Sequence, residues 1–247
     1  MSEADGFFGE PVAARYDETS AAISTPEAVD PVADFLAELA GGGAALELGI
    51  GTGRIALPLA ARGVPVHGIE LSRAMAARLQ TRPGAQGIGV TIGDFATAAV
   101  GRTFALAYLV FNTIENLTSQ EAQVACFANV ARHLEPGGHF VIEVEVPPLR
   151  SLPPGQLMHP SIVTEGHWCI DEFDLVSQRG VSHHFTFRDG KVRHLPFPYR
   201  YVWPSELDLM ARMAGMALEG RWGGWKREPF TADSRQHVSV WRKAEDE

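Results

Sequence analysis

Over the first 146 residues, apolar positions alternate between short continuous runs and helical spacing. Val32, Phe35, Leu36 and Leu39 share one helical face, and Gly41-Gly42-Gly43 then releases the chain. Residues 46–53 read Leu-Glu-Leu-Gly-Ile-Gly-Thr-Gly, an apolar strand running into a glycine-rich turn, and residues 66–71 form a second strand that carries an acid, Glu70, at its end. The spacing predicts a helix over 72–82 stopped by Pro83, a short strand over 90–92, and a longer one over 104–111. Thr118 with Glu121 three residues on reads as a capping box for a helix whose face is Val124, Phe127, Ala128, Ala131 and Leu134. Glu135-Pro136-Gly137-Gly138 ends that helix, and 139–146 is the next strand. Strands alternating with helices predict a doubly wound α/β fold, a parallel sheet with helices on both faces.

Beyond residue 146 the pattern changes. Pro147-Pro148 and Pro153-Pro154 bracket an irregular stretch, and 162–201 alternates apolar and polar residues around an Asp189-Gly190 turn. That predicts three antiparallel strands, 167–176, 181–188 and 192–201. Ser205 is expected to cap a last helix through Leu207, Met210 and Met213, followed by strands over 217–222 and 236–242. The chain reads as a single domain: a core over 1–146, an antiparallel insertion over 147–203, and a last helix with edge strands over 204–247.

The glycine turn and its acids carry the chemistry. Glycines let the backbone turn sharply and approach a ligand closely, and an acid at the tip of the next strand can accept from both ribose hydroxyls, so the pairing points to an adenosine-containing cofactor. A dinucleotide fingerprint needs G-x-G-x-x-G, whereas Arg54 stands at its last glycine position and the third glycine comes early, at Gly53. No Gly-Lys-Ser/Thr of a phosphate loop follows. With Glu47 two residues ahead of Gly49, the motif is E-x-G-x-G-x-G over Glu47, Gly49, Gly51 and Gly53.

This resembles motif I of the class I S-adenosylmethionine-dependent methyltransferases, and the resemblance runs through the first 146 residues. It implies a mostly parallel, seven-stranded Rossmann-like sheet, S-adenosylmethionine as cofactor, and an antiparallel lid over the cofactor cleft. Glu70, with Leu71 beside it, matches the ribose-binding acid; Ser72 and Met75 match the Ser-x-x-Met continuation, Met75 lying near the adenine. Asp94 and Phe95 stand where the family places an acid and an apolar contact for the adenine. Phe111-Asn112 falls at the position next to the sulfonium, and Tyr16-Asp17 resembles an N-terminal element whose tyrosine covers the methionine end. Taken singly, Glu70 reads equally as a solvated strand end and Asp94 as a turn former. Their shared order along one sheet edge is what binds them into one site.

Charge and cysteine content narrow the class. The formal net charge is −9, from 21 basic against 30 acidic residues, which disfavours nucleic-acid partners. Cys126 and Cys169 fall in a helix and a strand and suggest neither a disulfide framework nor a metal site. The acidic start lacks a signal-peptide profile and no long apolar run follows, so the chain is expected to be cytoplasmic, away from membranes, with homodimerisation left open.

The expected reaction is methyl transfer to nitrogen or oxygen of a small molecule. The insertion is aromatic-rich, with Trp168, Phe173, Phe185, Phe187, Tyr199, Tyr201 and Trp203. An amine need only shed its proton, whereas a hydroxyl requires a general base. Candidate bases are His183, His184, Glu143, Glu145 and His159; Glu145 and His184 are singled out as catalytic candidates. Period-two alternation sends His183 and His184 to opposite faces, so at most one enters a cleft. A binding module without turnover and a nucleotide-dependent oxidoreductase are the alternatives.

Overall fold

The computed structural model describes residues 3–245. Strands β1 (Ala45–Leu48), β2 (Val66–Glu70), β3 (Gly89–Ile92), β4 (Phe104–Leu109) and β5 (Leu134–Glu145) pair in parallel in the order β3-β2-β1-β4-β5. Two late strands, β10 (Met216–Trp222) and β11 (Gln236–Lys243), extend the sheet antiparallel beyond β5. The result is the expected seven-stranded, mostly parallel sheet.

Burial follows from the period of two. Leu46 and Leu48 of β1 face a cluster with α5 (Gln120–His133) and α6 (Pro204–Met213), while Ala45 faces α2 (Pro26–Ala40) and α3 (Ala56–Ala61). Between β2 and β3 lies α4 (Arg73–Gln80), and α1 (Glu10–Thr19) packs on it from the N-terminal side. Glu47 alone among the β1 side chains is charged, and it is buried.

Several element boundaries differ from expectation. Ser119, not Thr118, caps α5, its hydroxyl accepting from Ala122 N at 3.2 Å. Helix α6 starts at Pro204 with Trp203 at the cap position, because proline's fixed φ suits the first helical turn, so Ser205 is already inside. Strand β4 stops at Leu109, since Phe111 and Asn112 are both left-handed, with φ of 56° and 57°.

The insertion forms a sheet of its own, with four strands rather than three: β6 (Met158–Val163), β7 (His167–Phe173), β8 (Arg179–Arg188) and β9 (Lys191–Arg200). The unforeseen β6 is an edge strand holding Pro160 beside a register shift, a place where a missing N–H is tolerated. At the base of this sheet Arg200 is buried, donating to Gln123 of α5 and, at 2.8 Å, to Glu206 of α6. Phe197 of β9 meets Phe7 and Phe8 edge-on, with ring centroids 4.6 and 6.0 Å apart. The small sheet is thereby anchored, through the C-terminal part of β9, to both the helical layer and the N-terminal segment. Among the described residues no helix is long and apolar enough to cross a membrane.

Candidate active site

The turn after β1 is shaped by close packing. Gly49 has φ of 73°, and a Cβ there would stand 2.8 Å from Thr113 Cγ2; Gly53, at φ 83°, would place one 2.4 Å from Leu79 Cδ1. Gly49 N donates to Ile69 O at 2.8 Å, and Gly51 N to Glu70 Oε2 at the same distance. Glu70 Oε1 accepts from Ser72 N, also at 2.8 Å. The carboxylate thus ties the glycine turn to the start of α4, each oxygen retaining a second lone pair for a ligand. Burial raises its pKa, against the lowering effect of these N–H donors. Ser72 caps α4 by accepting from Met75 N at 3.1 Å, as expected, and donates to Phe8 O at 2.7 Å.

Leu71 is exposed and Met75 buried at this edge. One strand further, Asp94 is exposed and accepts from Ala96 N at 2.8 Å, while Phe95 is buried. Asn129 holds this turn by donating to the carbonyls of Phe95 and Ala98, each at 2.9 Å. Glu70 and Asp94 therefore stand in strand order at the carboxyl edge, outside the main cavity.

That cavity, of about 470 Å³, opens between the same edge, the N-terminal segment and the small sheet. Its size is that of a small-ligand site. At one end stand Tyr16, Glu47, Gly49, Gly51 and Arg54. Tyr108 donates to Glu47 at 2.9 Å, yet burial still pushes the Glu47 carboxyl up to about 8. Arg54 is the sole Lys or Arg lining the cavity among the described residues, its guanidinium 4.6 Å from the centroid of the Phe111 ring. Asp17 beside Tyr16 accepts from Thr52 Oγ1 at 2.7 Å and so fastens α1 to the glycine turn. Burial raises the Tyr16 phenol.

At the other end the cavity is acidic. Glu115, Glu145 and Asp171 all line it, with Cys169, Ser182, His184 and Tyr199. Glu115 forms no hydrogen bond through its carboxylate among the described residues; burial, then Glu145 and Asp171, hold its pKa well above the usual carboxylate range. Tyr199 is raised by burial and then by the same three acids. Asn112 Oδ1 accepts from Glu145 N at 2.8 Å, which keeps the Phe111-Asn112 turn beside the acids.

Of the expected bases, His184 enters the cavity and His183 does not. His183 lies on the opposite face, against His194 at 3.0 Å and Glu172 at 3.1 Å. Glu143 is engaged, accepting from Phe111 N at 3.0 Å and Trp225 Nε1 at 2.8 Å, and His159 lies outside the cavity lining. Phe173, Tyr199 and Tyr201 turn toward the cavity, whereas Trp168, Phe185 and Phe187 belong to the outer face. Sequence reasoning missed Glu115 and Asp171. Glu115 sits in a turn with no periodic signal, and Asp171 shares a strand parity with Cys169 and Phe173 that was there to be read.

Fold and cavity together define an α/β protein with a small-ligand cavity at the carboxyl edge of its sheet. Residues 45–138 match the methyltransferase domain family. The CcbJ methyltransferase from Streptomyces caelestis superposes with a TM-score of 0.86 at 34% identity, over 97% of this chain and 99% of that one. Cypemycin N-terminal methyltransferase from a Streptomyces species is 27% identical over 240 residues, 91% of this chain and 96% of its own. A likeness of fold extends to the S-adenosylmethionine-bound amino pentose methyltransferase of Micromonospora echinaspora, with a TM-score of 0.68 at 23% identity over 93% and 96% of the two chains. The chain belongs to the class I S-adenosylmethionine-dependent methyltransferases. It is an enzyme, with S-adenosylmethionine as its methyl donor.

Proposed function

We propose that the acceptor is a small molecule bearing an amine and that the enzyme methylates its nitrogen. The observation that carries this is the acidic end of the cavity, where Glu115, Glu145 and Asp171 converge and the one basic side chain beside them among the described residues is His184, whose pKa burial lowers. An ammonium group relieves that repulsion; a neutral hydroxyl leaves it in place. Two relatives fit the same chemistry, one named for an N-terminus and one for an amino pentose. Both substrates present an amine.

The cofactor arrangement follows from the residues. Glu70 is positioned to accept from ribose hydroxyls, with Leu71, Met75, Asp94 and Phe95 around the adenine. Arg54 offers its charge to the carboxylate of the methionine end and Glu47 its carboxyl oxygens to the ammonium, and Tyr16 closes over it beside Gly49, Gly51 and Gly53. Phe111 and Asn112 stand where the two halves of the cavity meet. Bound S-adenosylmethionine supplies a methyl group already activated by its sulfonium. The chain has then to hold the acceptor nitrogen in line and strip one proton from it. Glu145 and Asp171 orient the ammonium, and His184 receives the proton.

The test is a panel of amino sugars and short peptides with free N-termini, each beside its hydroxyl counterpart, incubated with S-adenosylmethionine and followed by mass spectrometry. Methylated amines are expected. Turnover of hydroxyl compounds alone would sink the reading.

A further inference from the structure

We infer that His184 and His167 form a proton relay leading from the acceptor nitrogen through the small sheet to solvent. The inference rests on the amine reading for its proton source and on geometry for its route. His184 lines the cavity and its Nε2 lies 3.9 Å from Cys169 Sγ, at the acidic end. Its Nδ1 lies 3.0 Å from Nε2 of His167. The two imidazole planes differ by 13° and their centroids are 5.2 Å apart, the arrangement of rings meeting edge to edge, so the shared nitrogens point along their lone pairs. His167 does not line the cavity and is half-buried, at the first position of β7. The pair therefore spans from cavity to surface.

The proton balance is simple. An N–H bond of the bound ammonium breaks and an N–H bond forms at His184 Nε2, leaving the amine lone pair free. The proton on His184 Nδ1 passes to Nε2 of His167, which releases its Nδ1 proton to water. Net, one proton leaves the acceptor before it is methylated. When product departs, water takes the proton from His184 Nε2, the proton on His167 Nε2 returns to His184 Nδ1, and His167 regains one from water at Nδ1, so the pair is restored.

The surroundings keep His184 free of a second proton until the acceptor binds. His184 is faced by Cys169, Asp171 and His167 from β7, Ser182 from β8, Tyr199 from β9, and Glu115 and Glu145 from the core. Burial, and next the neighbouring His167, lower its pKa, with Asp171 opposing, so it stands neutral and ready to accept near neutral pH. A second edge-to-edge pair, His183 and His194 at 3.0 Å, lies on the opposite face of the same hairpin beside Glu172. It provides an internal control that touches no acceptor.

Nitrogen-15 spectra of labelled histidines, in the complex with S-adenosylhomocysteine and with no acceptor, should show neutral His184 protonated at Nδ1 and bare at Nε2. His167→Gln should disturb that tautomer, and His183→Gln should not. With an amine acceptor found in the panel above, His184→Gln should lower kcat about a hundredfold or more. His167→Gln should lower kcat roughly tenfold, shift the acid limb of the pH profile, leave KM within a few-fold, and regain rate with added imidazole. His183→Gln should match the parent. The reverse tautomer overturns the relay, as does a His167→Gln enzyme with parental kcat and pH profile, or a loss that imidazole does not restore. Because the spectra need no acceptor, failure of the amine reading in the panel is distinguished from failure of the relay.

Discussion

Tyr108 donates a 2.9 Å hydrogen bond to Glu47 beneath the glycine turn, and neither side chain is more than marginally exposed. Tyr108, the Arg54 charge and the Ala56 N–H together do not offset the cost of burying a carboxylate, so the folded state holds the Glu47 proton up to about pH 8.

A pH dependence of stability follows. A folded-state pKa raised above the unfolded value means that the native chain binds the extra proton. The stabilisation is complete below the unfolded pKa and is lost as pH rises toward about 8. Without cofactor, the unfolding free energy should fall between pH 5 and 8, with Glu47 contributing at most about 1.4 kcal/mol per pH unit. Urea denaturation of Glu47→Gln should show a shallower slope. Equal slopes in parent and variant would mean that Glu47 is ionised.

Glu70→Ala removes the carboxylate that joins Gly51 N to Ser72 N and that we propose accepts from the ribose. The loss of a charged hydrogen-bond partner costs roughly 1.5–3 kcal/mol, so S-adenosylhomocysteine should bind about ten- to a hundredfold more weakly by calorimetry. The circular dichroism spectrum should be retained. Unchanged affinity would reduce Glu70 to a fastener of the turn.

Arg54→Ala should weaken S-adenosylhomocysteine by a similar factor but leave adenosine binding unaltered, because adenosine lacks the carboxylate that we propose as the partner of Arg54. A parallel loss of both ligands would assign Arg54 to support of the Phe111 turn, over whose ring it lies.

Glu115→Gln and Asp171→Asn should raise the acceptor KM several-fold or more while S-adenosylhomocysteine affinity stays within a few-fold. The raised pKa of Glu115 adds a sign: its ionised form binds the cation, so KM in the parent should fall as pH rises. That trend should flatten in Glu115→Gln. Loss of cofactor affinity in either variant would contradict the division of the cavity into two ends.

Arg200→Ala removes the buried cation between Gln123 and Glu206 at the base of the small sheet, leaving the Glu206 carboxylate with only the neutral donors Gln120 and Gln178. Breaking a buried ion pair by removing one member typically costs about 3–5 kcal/mol, which chemical denaturation would register directly. A loss under about 1 kcal/mol would show that water replaces the guanidinium.

Much of this molecule was legible in one dimension because the relevant signals are local. The glycine turn with Glu47, the acid at Glu70, and the alternation of strands and helices depend on spacings of a few residues, and each is present. Strand parity likewise separates His183 from His184, since neighbouring side chains on a strand must point to opposite faces. Caps were less legible, because Thr118 and Ser119 are both competent and only the entry direction of the chain selects one.

The acidic pocket was decided by tertiary structure. Glu115 comes from a turn after β4, Glu145 from the end of β5 and Asp171 from β7, and no spacing along the chain records that they meet. Parity groups Cys169, Asp171 and Phe173 on one face of β7 but does not say which face turns inward. That choice rests on Arg200 reaching α5 and α6 and on Phe197 meeting Phe7 and Phe8, long-range contacts that hold one side of the small sheet against the core. The same packing brings Trp225 to Glu143 and occupies that carboxylate, while Glu145, two residues further along the same strand, is left facing the cavity.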